Sequence, residues 1–225
     1  MFKRKILSKL EAWKRDERHK PLILRGARQV GKTTVVNEFG SQFDNYLYFN
    51  LEMSESVRLF EMDIPLNDLV NMLFASSGKS QREGSTLIFI DEIQNSPKTI
   101  ALLRYFYEQR PDLYVIAAGS LLENLVDVNV SFPVGRVMYM ALRPCSFYEF
   151  LGAIGKTNLL AVLSQKPEYT VAFHNQLIHQ FNQYTIIGGM PEAVQRYAET
   201  QDIVAIEDVY ETLVQAYKDD SEKYV

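Results

Sequence analysis

Gly26-Ala27-Arg28-Gln29-Val30-Gly31-Lys32-Thr33 carries the clearest chemistry in this sequence. Its pattern, G-x-x-x-x-G-K-[ST], is that of a loop that cradles phosphate groups. Glycine at 26 and 31 lets the backbone curl and bring its N–H groups close to phosphate oxygens that a side chain would fend off. Lys32 adds a point charge for β- and γ-phosphates, and Thr33 offers a hydroxyl to Mg²⁺. A helix starting there, with Thr34 in its first turn, points the positive end of its dipole at the anion. Ala27, Arg28, Gln29 and Val30 supply the remaining amides, and the Arg28 guanidinium could reach a phosphate as well.

Such a loop binds nucleotide; hydrolysis also needs a metal partner and a group that positions water. Asp91 and Glu92 leave the end of the apolar run Thr86-Leu87-Ile88-Phe89-Ile90. Asp91 suits a carboxylate that holds Mg²⁺ through its waters. Glu92 could polarise the attacking water as a general base. Ser120 and Asn50 stand at or near the ends of two further strand-like runs. Strand-end polar groups at the carboxyl edge of a parallel sheet face the ligand crevice. Ser120 could contact the γ-phosphate or the water, and ordinary capping explains it equally well; Asn50 could hold Glu92 away until something engages, although a structural role explains Asn50 more simply. Arg136 could stabilise the γ-phosphate of a neighbouring subunit, or be a surface arginine or a carboxylate's partner. His19, His174 and His179 have no metal-ligand spacing and are assigned no role.

These groups need a scaffold, and the sequence supplies one. The loop lies between an apolar strand, 21–25, and a stretch apolar at helical spacing that Gly40 stops. Further strands read at 46–51, 86–90, 113–118 and 137–142. A helical stretch over about 55–76 is split by Pro65, and Ser96-Pro97 begins a helix that ends before Pro111. A lead-in helix, 5–18, carries Ile6, Leu7, Leu10 and Trp13 on one side. A short helix follows Ser120, and a loop leads to Gly135-Arg136. Strands alternating with helices predict an α/β fold with a parallel, helix-covered sheet over residues 1–145. After Pro144 the strand signals stop. Segments 146–153, 157–165, 171–186 and 203–218 read as helices, so 146–225 is expected to be a small helical lid, punctuated by Gly188-Gly189-Met190-Pro191.

The bulk numbers agree with that organisation. The chain has 225 residues, 47% of them hydrophobic and 23% charged, as in ordinary globular proteins. A net charge of -4 argues against a general nucleic-acid coat. Charge is uneven: residues 1–20 hold eight Lys or Arg against three acids, and residues 192–225 hold nine acids against three bases. Solvated helix faces are the simpler account of both. One cysteine, Cys145, excludes an internal disulfide and suits a reducing compartment, and no run approaches the roughly eighteen apolar residues of a membrane span, so the expected location is the cytoplasm and not a membrane.

GARQVGKTT, LIFIDEIQ, AAGS, the GR before the last strand and GGMPEAV together resemble the AAA+ superfamily of P-loop ATPases. More narrowly they resemble the prokaryotic predicted ATPases with an ARQVGKT-type loop and an additional C-terminal domain of unknown function. The resemblance covers roughly residues 4–225, and this sequence stops about where that extra domain is expected to begin. It implies a five-stranded sheet ordered 5-1-4-3-2, Ser120 as the sensor of the γ-phosphate, Arg136 as the arginine finger, and Pro191 against the base or sugar of the nucleotide. The expected activity is Mg²⁺-dependent ATP binding and hydrolysis that drives a conformational switch on an unidentified protein partner, with oligomerisation possible. The alternative is a slow or non-hydrolysing nucleotide-loaded module that binds protein or DNA, for which the basic segment 1–20 is the sole support. A small P-loop kinase is a third reading, opposed by the Asp91-Glu92 pair followed by a helical lid.

Overall fold

The computed structural model describes residues 2–80, 83–120, 133–163 and 171–222, the last four of them as backbone only. The chain divides into two compact units, Ile6–Leu142 and Met1–Lys5 with Arg143–Val225. The sequence suggested a join at 145/146 and gave the N-terminus wholly to the first domain. In the structure the chain instead passes between units twice, after Lys5 and after Leu142.

The larger unit is a five-stranded parallel sheet flanked by helices. In chain order it runs α1 (Ile6–Arg15), β1 (Leu22–Arg25), α2 (Lys32–Gly40), β2 (Asn45–Asn50), α3 (Ser54–Phe60), α4 (Leu66–Ser76), β3 (Thr86–Asp91), α5 (Pro97–Gln109), β4 (Leu113–Gly119) and β5 (Met138–Ala141). Strand order is β2-β3-β4-β1-β5, the order expected from the resemblance, read from the other edge. Register is fixed by pairs such as Asn50 with Asp91, Ile90 with Ala117, and Arg25 with Gly119. β3 is buried along its whole length, which explains its unbroken apolar run: helices cover both faces of a parallel sheet. The core joins Ile23, Leu47, Ile88, Ile90, Val115 and Ala117 to α3–α5 through Phe60, Leu73, Leu103 and Phe106. Ser96 caps α5 by accepting from the Thr99 amide, with Pro97 at the first helical position. The lead-in helix ends at Arg15, earlier than its apolar spacing suggested. Trp13 packs edge-on against His19 and Tyr114, and its indole N–H donates to the Lys20 carbonyl at 2.9 Å. His19 stacks on Tyr114, a packing role. The short helix expected after Ser120 falls on 121–132, outside the described residues.

The second unit is helical: α6 (Phe147–Ala153), α7 (Thr157–Leu163), α8 (His174–Ile187), α9 (Pro191–Thr200) and α10 (Glu207–Glu222). The expected end of α7 at 164–165 is likewise outside the described residues. Helix α9 was not foreseen; the turn signal of Gly188-Gly189 masked a helix that begins immediately after it, with Pro191 at its first position. Phe150, Ile187, Val194, Tyr197, Val209 and Cys145 form this unit's core. A buried ion pair ties in the N-terminal residues: Arg4 Nε lies 3.0 Å from Glu149 Oε1, with both side chains under a tenth exposed. Glu149 also closes a capping box with Ser146 at the start of α6.

Candidate functional site

The loop between β1 and α2 takes the backbone that its glycines permit. Gly31 lies at φ 88° and Gln29 at φ 59°, both left-handed, so successive amides turn inward before α2 begins at Lys32. Gly26 answers a different demand. A Cβ there would sit 2.3 Å from the Leu142 carbonyl oxygen, at the end of the neighbouring strand. Val30 is fully buried and anchors the loop from below, while Ala27 and Gln29 are exposed and Arg28 is half-buried. Thr34 faces solvent.

Lys32 is buried, and its Nζ donates to the carbonyls of Gly26 at 2.9 Å and Ala27 at 3.0 Å. Burial pushes its ammonium below the ordinary lysine range, against the pull of Glu92 and Asp91; Arg28 pushes the same way as burial. Across the sheet edge, Thr33 Oγ1 donates to Asp91 Oδ2 at 2.6 Å. Asp91 is buried too, and burial raises its carboxyl above the usual range. The Thr33 hydroxyl, the Glu92 amide, the Lys32 charge and the Tyr48 hydroxyl all oppose that rise without cancelling it. The Glu92 amide donates to Asp91 Oδ1 at 3.1 Å, which holds the carboxylate from its other side.

Glu92 adopts φ 52° and ψ 45°, a left-handed conformation uncommon outside glycine, asparagine and aspartate. Its carboxylate accepts from Gln94 Nε2, two residues on in a short 3₁₀ turn. Ser120 follows β4, the strand that stands between the loop strand and the Asp91 strand. Its Oγ is buried and makes no hydrogen bond among the described residues. Asn50 is occupied locally: its Oδ1 accepts from the Glu52 amide at 2.8 Å, so it caps the turn after β2 and does not touch Glu92.

A family profile described as "AAA domain" matches residues 18–151. The chain belongs to that family. It is therefore an AAA-type P-loop protein, a class built around nucleotide binding. No curated protein matches the sequence. Among solved structures, that of PCH-2 from C. elegans aligns over 93% of this chain and 68% of that chain, with 13% identity and a TM-score of 0.49.

In this AAA domain the loop, Asp91, Glu92 and Ser120 all lie at the carboxyl ends of β1, β3 and β4, one edge of the sheet. Arg136 does not join them. It precedes β5, whose Met138 pairs with Leu22 at the start of β1, so it stands at the opposite edge. There its Nε donates to Glu108 Oε1 at 3.4 Å on the surface, where it is half-exposed. Pro191 and the glycines before it have structural duties in their own unit. A Cβ on Gly189 would lie 2.5 Å from the Cys145 carbonyl oxygen, and Gly188 turns the chain at φ 74°.

Two neighbours of the acidic pair escaped the sequence reading. Tyr48 places its hydroxyl 3.5 Å from Asp91 Oδ2. The alternation of β2 carries the signal: Tyr46, Tyr48 and Asn50 fall on one face, and the register sets Asn50 beside Asp91. Gln94 stood inside the quoted DEIQ motif, but only the left-handed Glu92 and the turn after it bring the amide back to the carboxylate. Among the described residues no three His, Cys, Asp or Glu side chains gather as a metal cage.

Proposed function

We propose that this AAA domain is a Mg²⁺-dependent ATPase whose hydrolysis switches a partner-binding surface. One observation carries the reading: the Thr33 hydroxyl and the Asp91 carboxylate meet at 2.6 Å, beside buried Lys32. A hydroxyl and a carboxylate are hard oxygen donors that suit Mg²⁺, which keeps much of its water and needs only one or two protein ligands beside the phosphates. Thr33 and Asp91 would hold it, and when bound it offsets charge on the phosphate oxygens.

In this reading Lys32 leaves the Gly26 and Ala27 carbonyls for the β- and γ-phosphate oxygens, while the amides of residues 27–34 enclose the β-phosphate. Glu92 takes a proton from water as the water oxygen bonds to the γ-phosphorus, and the bond from that phosphorus to the β-bridging oxygen breaks. Ser120, whose buried hydroxyl has no hydrogen-bond partner among the described residues, contacts the γ-phosphate or the water. Arg136 serves a neighbouring subunit's nucleotide, since its own chain's loop is at the other sheet edge. Pro191 contacts the base or sugar, as the resemblance of its GGMP segment to the glycine-x-proline lid motif of signalling ATPases implies. The protein partner is unidentified, and the setting is the reducing cytoplasm.

The test is phosphate release with nucleotide titration. Lys32→Ala should abolish binding of a fluorescent ATP analogue. Glu92→Gln should bind ATP with Mg²⁺ and lose turnover. Unchanged affinity in the first, or the parental rate in the second, would overturn the corresponding assignment. A rate per subunit that climbs with protein concentration is the result expected if Arg136 acts in trans.

A further inference from the structure

The Glu92 carboxylate does not hang free at the sheet edge. Gln94 Nε2 donates to its Oε2, and that bond closes a small ring through the 3₁₀ turn Ile93–Asn95. The turn is itself pinned. The Asn95 amide donates to the Glu92 carbonyl at 3.1 Å, and the Ser96 amide to the Ile93 carbonyl at 3.1 Å. Ile93 is fully buried. Asn95 Nδ2 donates to the Leu51 carbonyl at 3.3 Å, which ties the turn to the end of β2.

The arrangement carries two local costs. Glu92 is left-handed, and Gln94 Oε1 is buried with no hydrogen-bond donor among the described residues. Both are energetically unfavourable. A turn selected only to leave a strand would avoid both, for instance with glycine at 92 and an apolar residue at 94. What the two costs secure is a single orientation of one carboxylate. The amide is neutral, so it holds Oε2 without neutralising the negative charge that a base needs. One oxygen of Glu92 remains to accept a proton.

We infer that Gln94 is a positioning residue for Glu92, fixing the rotamer of the proposed general base through its side-chain amide. This deepens the ATPase reading and rests on Glu92 being that base. It also assigns to Gln94 the contact with Glu92 for which Asn50 was a candidate from sequence. Gln94 acts through Glu92 and does not itself touch the reacting atoms. A carboxylate released from its restraint samples rotamers unproductive for proton transfer, and small misplacements of a catalytic group lower rates by up to about a hundredfold.

The experiment is a double-mutant cycle on the full chain: parent, Gln94→Leu, Glu92→Gln and the double variant, each assayed for kcat, KM and ATP-analogue affinity. Leucine is of similar size to glutamine and removes the amide. Gln94→Leu should lower kcat about ten- to a hundredfold, with KM and nucleotide affinity near parental values and Tm no lower than the parent's. The double variant should be no slower than Glu92→Gln alone, because the positioned group is already gone. Gln94→Asn, which keeps an amide on a shorter side chain, should recover part of the rate. A parental or raised kcat in Gln94→Leu, beside an inactive Glu92→Gln, would overturn the positioning role and leave the base assignment standing. A further loss in the double variant would give Gln94 a role independent of Glu92 and overturn the inference. An active Glu92→Gln would remove the base and the positioning role together.

Discussion

Each unit of this protein buries ionisable side chains, and the two do so in opposite ways. In the helical unit Arg4 and Glu149 face each other and every available group closes on them. Arg4 Nη2 donates to the Arg143 carbonyl at 2.7 Å, and Glu149 takes the amides of Lys5 and Ser146 at 2.9 and 2.8 Å. Burial alone would raise the Glu149 carboxyl; those amides and the guanidinium outweigh it and hold it below the usual range. At the sheet edge Lys32 and Asp91 are equally buried, yet both are displaced toward their neutral forms, lysine downward and aspartate upward. In a saturated pair each charge depends on the other, and removing one leaves its partner buried and uncompensated. Two charges buried without saturation are costly to the fold and retain capacity for something that arrives later.

The largest expected effect breaks the saturated side. Glu149→Gln should destabilise the protein by about 3–5 kcal/mol, because it leaves Arg4 buried without a counter-charge. Denaturant unfolding followed by circular dichroism measures it. An Arg4→Met/Glu149→Leu double variant should recover much of the loss, and a mild single variant would show that the pair is not saturated in this sense. The sign with pH is set by the lowered carboxyl. The stability Glu149 contributes is present above its unfolded value of 4.5 and disappears as pH falls through the lower folded value.

A smaller effect, opposite in sign, sharpens the other side. Asp91 has a folded value above its unfolded 3.8, so the folded state holds the proton more tightly and loses stability as pH rises through that window. Asp91→Asn should therefore raise Tm at neutral pH, by an increment that shrinks toward zero below pH 3.8, while Mg²⁺-dependent turnover falls. Calorimetry across pH decides it; a Tm that falls at neutral pH would mean that Asp91 is satisfied after all. The smallest effect is on reactivity. Burial pushes the Cys145 thiol up to about 11, so a thiol reagent at pH 8 should label unfolded protein promptly and folded protein far more slowly. Equal labelling rates would contradict the packed helical core.

The same contrast separates what could be read from the residues and what could not. Periodicity and punctuation located all five strands to within a residue or two at each end. β1, β3 and β4 are short apolar runs bounded by turn residues and buried on both faces, whereas β2 and β5 alternate more buried with more exposed positions, and both patterns read as strand. The loop and the acidic pair were legible in the sequence through residue types at fixed spacing, Gly26, Gly31, Lys32 and Thr33 for the one and Asp91-Glu92 after an apolar run for the other. Helix α9 was not, since Gly188-Gly189 reads as punctuation whether or not a helix resumes behind it. Nor was the membership of residues 1–5: the Arg4–Glu149 pair spans 145 positions, and no local pattern announces a partner at that distance. Gln94 was invisible for a subtler reason. Its role depends on one backbone angle at Glu92, and side-chain type alone does not report a left-handed glutamate.

Leu142 has two neighbours of consequence. Its carbonyl oxygen is the surface on which Gly26 rests, and its amide donates to the Arg25 carbonyl at 2.7 Å. It is also the last residue of its unit, with Arg143 already belonging to the other. The phosphate loop thus begins one hydrogen bond away from the place where the polypeptide changes hands.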